Sequence, residues 1–351
     1  MRVTGERQHA AWQERVLPPL ELVRPGLWSL PVPIPDNPLR YVLVYVLELD
    51  DGVALVDAGW DTPEAWQTLC DGLHELGGSI DDVRAVVVTH LHPDHYGLAG
   101  RVREASGAWI GLHPADANLL VGRYEDPEQL LHAMAGLLEV CGVPDALVPD
   151  LAQASMQVRA FVRMAAPDRL IEDDDDLGLA GWDLRAIWTP GHSPGHLCFH
   201  SERHRLLLSG DHVLPRITPN IAVHTQSVDN PLADYLDSLL KVGRLECDEV
   251  LPGHEWRFSG LRDRTASLRA HHDERLREIA GVLAERGPTT CWDVTTRLTW
   301  SRPLDATSGF LQRAAMGETL AHLVFLEAEG TVVRTPGRPA TFALHGTEGS
   351  G

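Results

Sequence analysis

The stretch VVVTHLHPDHYGLAG, residues 86 to 100, sets three histidines and an aspartate within six positions directly behind an apolar run. Consecutive valines predict a buried strand. His90 and His92 are two apart, so at the end of an extended strand both face one side. Pro93 then bends the chain and carries Asp94 and His95 onward. Four ligand-type groups thus converge from one strand-to-helix junction. Imidazole nitrogens suit zinc, and a carboxylate beside them completes a site or bridges two ions. A lone histidine at a strand end is more often a hydrogen-bonded core or surface residue. Four such groups in six positions make that reading the weaker one.

Further candidates recur at the ends of later apolar runs: His192 in TPGHSPGH, Asp211 in LLLSGDHVL and His254 in VLPGHE. Each sits beside glycine, where a missing Cβ allows a sharp turn and a close approach. Singly each signal is weak, and His254 alone reads as a cap or surface residue. In this order they predict a shared cleft at one edge of a sheet.

Around these motifs, YVLVYVLEL (41–49) and GVALVDAG (52–59), joined by Asp50-Asp51-Gly52, read as a hairpin. A helix is expected over about 63–76, and apolar residues at three and four spacing with three methionines predict a helical insertion over about 114–166. Strand-like runs return at 182–192, 196–201 and 205–214, followed by a helix near 231–245 and a strand before His254. This mixture indicates an α/β or α+β layered domain. From about 260 the chain turns mainly helical and closes with a β-like pair, so a catalytic domain of 1–260 and a C-terminal domain of 261–351 are expected. The acidic run 172–176 reads as a solvated turn.

With 30 Lys+Arg against 50 Asp+Glu, the formal charge is -20, which disfavours nucleic acid and anionic membranes as partners. The first twenty residues lack the apolar core of a signal peptide, and the longest apolar run is too short to span a bilayer. A cytoplasmic location is therefore expected. Five scattered cysteines without a C-x-x-C pair read as reduced, mostly buried thiols.

Over roughly residues 20 to 258 the sequence resembles the metallo-β-lactamase-fold hydrolases, whose pattern H-x-H-x-D-H, His, Asp, His is met by His90, His92, Asp94, His95, His192, Asp211 and His254. The resemblance implies an αββα sandwich with a two-metal site at one edge. It assigns His90, His92 and His192 to one ion and Asp94, His95 and His254 to the other, with Asp211 bridging. It further implies two divalent ions, zinc foremost with Mn or Fe as alternatives, and a bridging hydroxide that attacks a thioester, ester or lactone carbonyl. Asp94 and Asp211 are then the candidate catalytic residues. Asp57 in LVDAG matches the aspartate that orients the ligand loop, although a plain turn residue explains it equally well from spacing. His196 is expected to support the ligands by hydrogen bonds.

The aspartate at 211 speaks against antibiotic hydrolysis, since zinc β-lactamases of this fold lack it, and His92 speaks against the flavodiiron branch. Of the branches, the chain then resembles glyoxalase II, acyl-homoserine lactonases and other thioester or lactone hydrolases. Its C-terminal part resembles the winged-helix-like domain of the β-lactamase-like protein 2 branch, which includes a proposed endoribonuclease. That part holds 11 Arg against 11 Asp+Glu, no excess to draw phosphates, so packing or homodimerisation is the expected role. Two alternatives stand beside the hydrolase: a mononuclear iron enzyme like the persulfide dioxygenases, and an endoribonuclease or nucleic-acid-binding module. The 96 residues between His95 and His192 include the insertion, read as a lid over the cleft or as plain core packing. His212 and His224 are expected to have no ligand role, and Tyr96, Trp182 and Trp188 to be core aromatics.

Overall fold

The computed structural model describes residues 1–154, 156–307 and 309–346. Two sheets stack face to face. The first has the order β2 (Glu21–Arg24), β3 (Leu27–Pro33), β4 (Tyr41–Leu49), β5 (Gly52–Val56), β6 (Val83–Val87), β7 (Trp109–Leu112) and β8 (Arg169–Leu170). The second has the order β1 (Arg2–Val3), β13 (Phe258–Ser259), β12 (Glu249–Pro252), β11 (Leu206–Gly210), β10 (Leu197–Ser201) and β9 (Leu184–Trp188). The expected hairpin is present as the antiparallel pair β4 and β5, and β5 through β8 run parallel.

Alternation along β4 explains the layering. Val42, Val44 and Val46 face the helices Pro63–Glu75 and Ala99–Ser106, whose Leu69, Leu73 and Val102 complete that layer. Tyr41, Leu43, Tyr45 and Leu47 face the opposite way and meet Phe199, Leu208 and Leu251 of the second sheet. A strand covered on both faces reads as a continuous apolar run, which is how YVLVYVLEL reads. The far face of the second sheet is closed by helices Pro231–Val242 and Leu261–Arg286 through Leu232, Tyr235, Leu239 and Leu268. The result is the αββα sandwich.

Several helix starts are written in the sequence. Thr62, Asp126 and Asn230 each precede a proline, and each side chain accepts a hydrogen bond from the backbone N–H three residues on. The helix capped by Asp126, Pro127–Val140, lies in the insertion. Its Met134 and Leu138 pack with Ile279, Trp292, Leu320 and Phe342 of the C-terminal part. The insertion's apolar face is therefore buried against the C-terminal helices. Helix Leu261–Arg286 joins both regions, because Leu268 packs on the second sheet and Ile279 and Leu283 enter the other cluster. After it come helices Cys291–Thr295 and Gly309–Ala328 and the hairpin of β14 (Val332–Thr335) and β15 (Thr341–Leu344), with a bridge between Thr289 and Phe342.

Tyr96 is fully buried, but Trp188 is 38% exposed and corrects the expectation of a core aromatic. It lies on β9, an edge strand whose outward residues meet solvent, and its ring stacks on His113 with centroids 5.2 Å apart. Trp182 is half-buried and tilted over His204. All five cysteines are free thiols, three of them buried. Among the described residues, no helix is long and apolar enough to cross a membrane.

Candidate metal centre

Strand direction brings the predicted residues together. β9 and β11 are both antiparallel to β10, so they run the same way, and β12 is parallel to β11. His192, Asp211 and His254 follow the C-terminal ends of these strands, while Asp57 and His90 follow the ends of the parallel pair β5 and β6. The two sheets are tied beside His254: Leu43 N donates to Gly253 O at 2.7 Å, and Tyr45 Oη donates to Pro252 O at 2.9 Å.

Three overlapping groups result: His90, His92 and His192; His90, His95 and Asp211; Asp94, His95 and His254. Within each, the ligand-type atoms lie within 4.8 Å of one another. Asp211 stands in the middle. Its Oδ1 is 3.4 Å from His95 Nε2 and 3.3 Å from His254 Nε2, and its Oδ2 is 3.6 Å from His192 Nε2. Asp94 Oδ2 lies 3.3 Å from His254 Nε2.

The opposite ring nitrogens are occupied. His95 Nδ1 donates to Asp57 Oδ2 at 2.7 Å, His192 Nδ1 to Asn220 O at 3.0 Å, and His254 Nδ1 to Tyr41 O at 2.8 Å. Carboxylate and carbonyl partners place the proton on Nδ1, which leaves the Nε2 lone pair facing inward. These same inward atoms, His95 Nε2, His192 Nε2, His254 Nε2 and Asp211 Oδ1, are buried without a hydrogen-bond partner. Orphaned acceptors at the edge of a core are costly unless something positive joins them. This donor set fits divalent cations of the zinc type.

The electrostatics agree. Burial, reinforced by His95, His92 and His192, pushes His90 well below the ordinary imidazole value, which keeps it neutral. Burial also acts against a proton on His254, but the Asp211 and Asp94 carboxylates prevail and raise it to about 10. The centre thus attracts positive charge strongly at its Asp211 side.

Asp57 has φ of 65° and lies at the hinge of the ligand loop, where Oδ1 accepts the Thr89 N–H at 2.8 Å. His196 stays outside the ligand groups. Its Nε2 accepts the Asp211 N–H at 3.2 Å, and its Nδ1 lies 2.8 Å from Thr189 Oγ1. His212 turns away and packs on Tyr235 with ring centroids 5.1 Å apart. Gly253 is needed, since a Cβ there would come 2.7 Å from His95 Cε1 and 2.8 Å from Asp211 Oδ1.

One buried residue went unread in the sequence. Asp116 follows β7 at the same sheet edge and accepts three hydrogen bonds, from Leu91 N at 2.9 Å, Ser193 Oγ at 2.8 Å and Gly195 N at 2.6 Å. It ties the loop of His90 and His92 to the loop of His192. Burial raises its carboxyl to about 6 against the pull of these three donors. The usable signal was its position: an acid just past a strand parallel to the one that delivers the histidines.

The sequence matches the model of the metallo-beta-lactamase superfamily over residues 37–254, a span that contains every one of these groups. The chain belongs to the metallo-beta-lactamase superfamily. It is similar to the superfamily protein of known structure from Thermus thermophilus at 34% identity and a TM-score of 0.80, over 92% of this chain and 100% of that one. A beta-lactamase domain protein from Burkholderia ambifaria is 28% identical with a TM-score of 0.78, over 93% and 94%. The probable metallo-hydrolase YqjP of Bacillus subtilis is 28% identical over 83% of this chain and 89% of its own length. Metallo-beta-lactamase superfamily membership and the similarity to a metallo-hydrolase agree with a hydrolase built on a His and Asp metal centre.

Proposed function

We propose that this protein is a metal-dependent hydrolase of a small acyl ester, lactone or thioester, with a centre for two divalent ions. His90, His92 and His192 would hold one ion, Asp94, His95 and His254 the other, and Asp211 would touch both. Zinc suits the imidazole-rich set, with Mn and Fe as alternatives. When bound, such ions supply activated water and polarise a carbonyl. The observation that carries the reading is the place of Asp211, within 3.6 Å of Nε2 atoms from both histidine sets.

The chain's own residues do the rest. Asp57, Asn220 and Tyr41 fix His95, His192 and His254 through Nδ1 and so orient their inward nitrogens. Burial raises the Asp94 carboxyl, but His95 and His254 overcome this and hold it below its usual range. Asp94 is therefore ionised, the form in which a carboxylate would hold a cation. His196 holds the Asp211 backbone. The C-terminal part is read as a winged-helix-like unit, and its burial against the insertion supports a packing role over nucleic-acid binding.

The test is metal quantification on purified protein with a hydrolysis screen of acyl thioesters, lactones, phosphodiesters and a β-lactam. Two zinc per chain with thioester or lactone turnover is expected. One iron with oxygen uptake, or turnover of phosphodiesters alone, would replace this reading.

A further inference from the structure

Between β11, which ends at Gly210, and the helix that starts at Pro231, the chain forms no strand or helix. Both ends of residues 211–220 serve the centre. Asp211 carries the middle carboxylate, and Asn220 O accepts from His192 Nδ1 at 3.0 Å. A segment without a ladder must find partners for its backbone elsewhere.

Side chains supply them. Tyr235 Oη donates to His212 O at 3.0 Å, and Ser209 Oγ donates to Val213 O at 2.8 Å. Arg264 then meets three carbonyls: Nε donates to Leu214 O at 2.6 Å, and Nη2 to Arg216 O at 3.1 Å and Ile217 O at 2.7 Å. Glu255 meets the opposite groups. Its Oε2 accepts the N–H of Arg216 at 3.0 Å and of Ile217 at 3.3 Å, and its Oε1 accepts from Arg216 Nε at 2.9 Å. One guanidinium and one carboxylate therefore grip residues 214–217 through carbonyls and N–H groups together.

The backbone shows what this grip costs. Glu255 is fully buried with φ of 70°, a left-handed conformation that glycine adopts freely and a residue with a Cβ does not. A chain that needed only the turn after His254 would be better served by glycine. What glutamate adds at this position is a carboxylate, and that carboxylate meets 216 and 217. Arg264 is likewise buried, a charge made tolerable by its three carbonyl partners.

Position gives the grip its consequence. Glu255 directly follows His254, and Tyr41 holds both: its O accepts from His254 Nδ1 at 2.8 Å, and its Oη donates to Glu255 O at 2.7 Å. Arg264 lies in the first turn of helix Leu261–Arg286, which packs on the second sheet through Leu268. The segment that carries Asp211 and Asn220 is thus fastened to the His254 turn on one side and to the C-terminal helix on the other.

We propose that Glu255 and Arg264 are positioning residues of the centre, which hold residues 211–220 in place and so fix the Asp211 carboxylate and, through Asn220, the His192 ring. The inference rests on the metal-centre reading above. It gives the start of the C-terminal helix a part in shaping the centre.

The test titrates the full chain, freed of metal, with cobalt(II), whose visible absorption reports ligand geometry. Amide hydrogen exchange over 212–217 is followed in the metal-free chain. Glu255→Gly removes the carboxylate while easing the backbone, and Arg264→Met removes the guanidinium while keeping an unbranched stem. In both, cobalt affinity is expected to fall about tenfold to a hundredfold and the visible band to shift, while the Arg216 and Ile217 amides exchange faster. Glu255→Gln keeps an acceptor and should lie between these variants and wild type. A purely structural loss would lower Tm and leave the cobalt band in place. Wild-type affinity and band in both Glu255→Gly and Arg264→Met overturn the proposal, whatever the exchange. Should neither fold, Glu255→Gln decides, and wild-type affinity, band and exchange in it overturn the proposal. If the wild type takes up no cobalt, the metal-centre reading fails and exchange alone decides the grip: equal rates in wild type and variants overturn it.

Discussion

Asp116 and Ser193, 77 positions apart, are joined by a 2.8 Å hydrogen bond from the serine hydroxyl to Oδ2 of the buried carboxylate. The same oxygen accepts the Leu91 N–H between His90 and His92, so one side chain sets the spacing of two ligand loops. Asp116→Ala strands three donors and releases both loops. Metal affinity, measured by competition with a chromophoric chelator, is expected to fall about tenfold to a hundredfold, as for other residues that support ligands. Gly195→Ala should act from the opposite side, since its Cβ would meet Asp116 Cγ at 2.8 Å. Wild-type affinity in both variants would remove Asp116 from any role in positioning.

Asp211 stands between the two histidine sets, so its loss should affect both. Asp211→Ala is expected to bind fewer than two ions per chain by elemental analysis and to lose hydrolysis at all substrate concentrations. Chelating the wild type should lower its Tm, because ions that bind only the folded chain stabilise it by mass action. Unchanged metal content in Asp211→Ala would defeat the shared-ligand assignment.

His272 and His322 form a second buried pair, Nδ1 to Nε2 at 3.0 Å, on the helices Leu261–Arg286 and Gly309–Ala328. Burial, with His322, His271 and Arg275 adding repulsion, lowers His272 to about 2. Burial likewise lowers His322 to about 4, its hydrogen bond to Glu318 O opposing this. With folded values below the unfolded one near 6.5, the unfolded chain binds more protons as pH falls. Stability is therefore full above about pH 6.5 and is lost progressively on acidification, by roughly 2 kcal/mol for one such histidine at pH 5. His272→Gln should melt with a flatter dependence between pH 7 and 5 than wild type. Parallel curves would refute the linkage.

Leu138 is wholly buried between the insertion and the C-terminal helices. Leu138→Ala should cost about 2–5 kcal/mol through lost transfer energy and a cavity. Chemical denaturation measures it. A loss near zero would mean that the two regions hold their structure without each other.

Much of the candidate centre was legible in the sequence because its candidate ligands sit at strand ends, where local pattern and chemistry coincide. THLHPDH shows strand, bend and donor types in one glance, and the glycines beside His192, Asp211 and His254 announce close approach. Asp116 was not legible, since an acid in LHPADANLL looks like any loop carboxylate until the Ser193 loop folds over it. Trp188 was misread because edge position on a sheet is a property of strand order, which no local window contains.

By itself the sequence determined the layered fold and the types and order of the candidate ligands, because apolar alternation and donor spacing are local properties that survive any packing. Tertiary structure alone decided three things: which nitrogens of His95, His192 and His254 face inward, which residue clamps the loops, and where the insertion rests. Each depends on partners that the sequence holds far apart, such as Tyr41 with His254, Asp116 with Gly195, and Leu138 with Leu320. Hydrogen-bond direction and side-chain packing exist only once those partners meet.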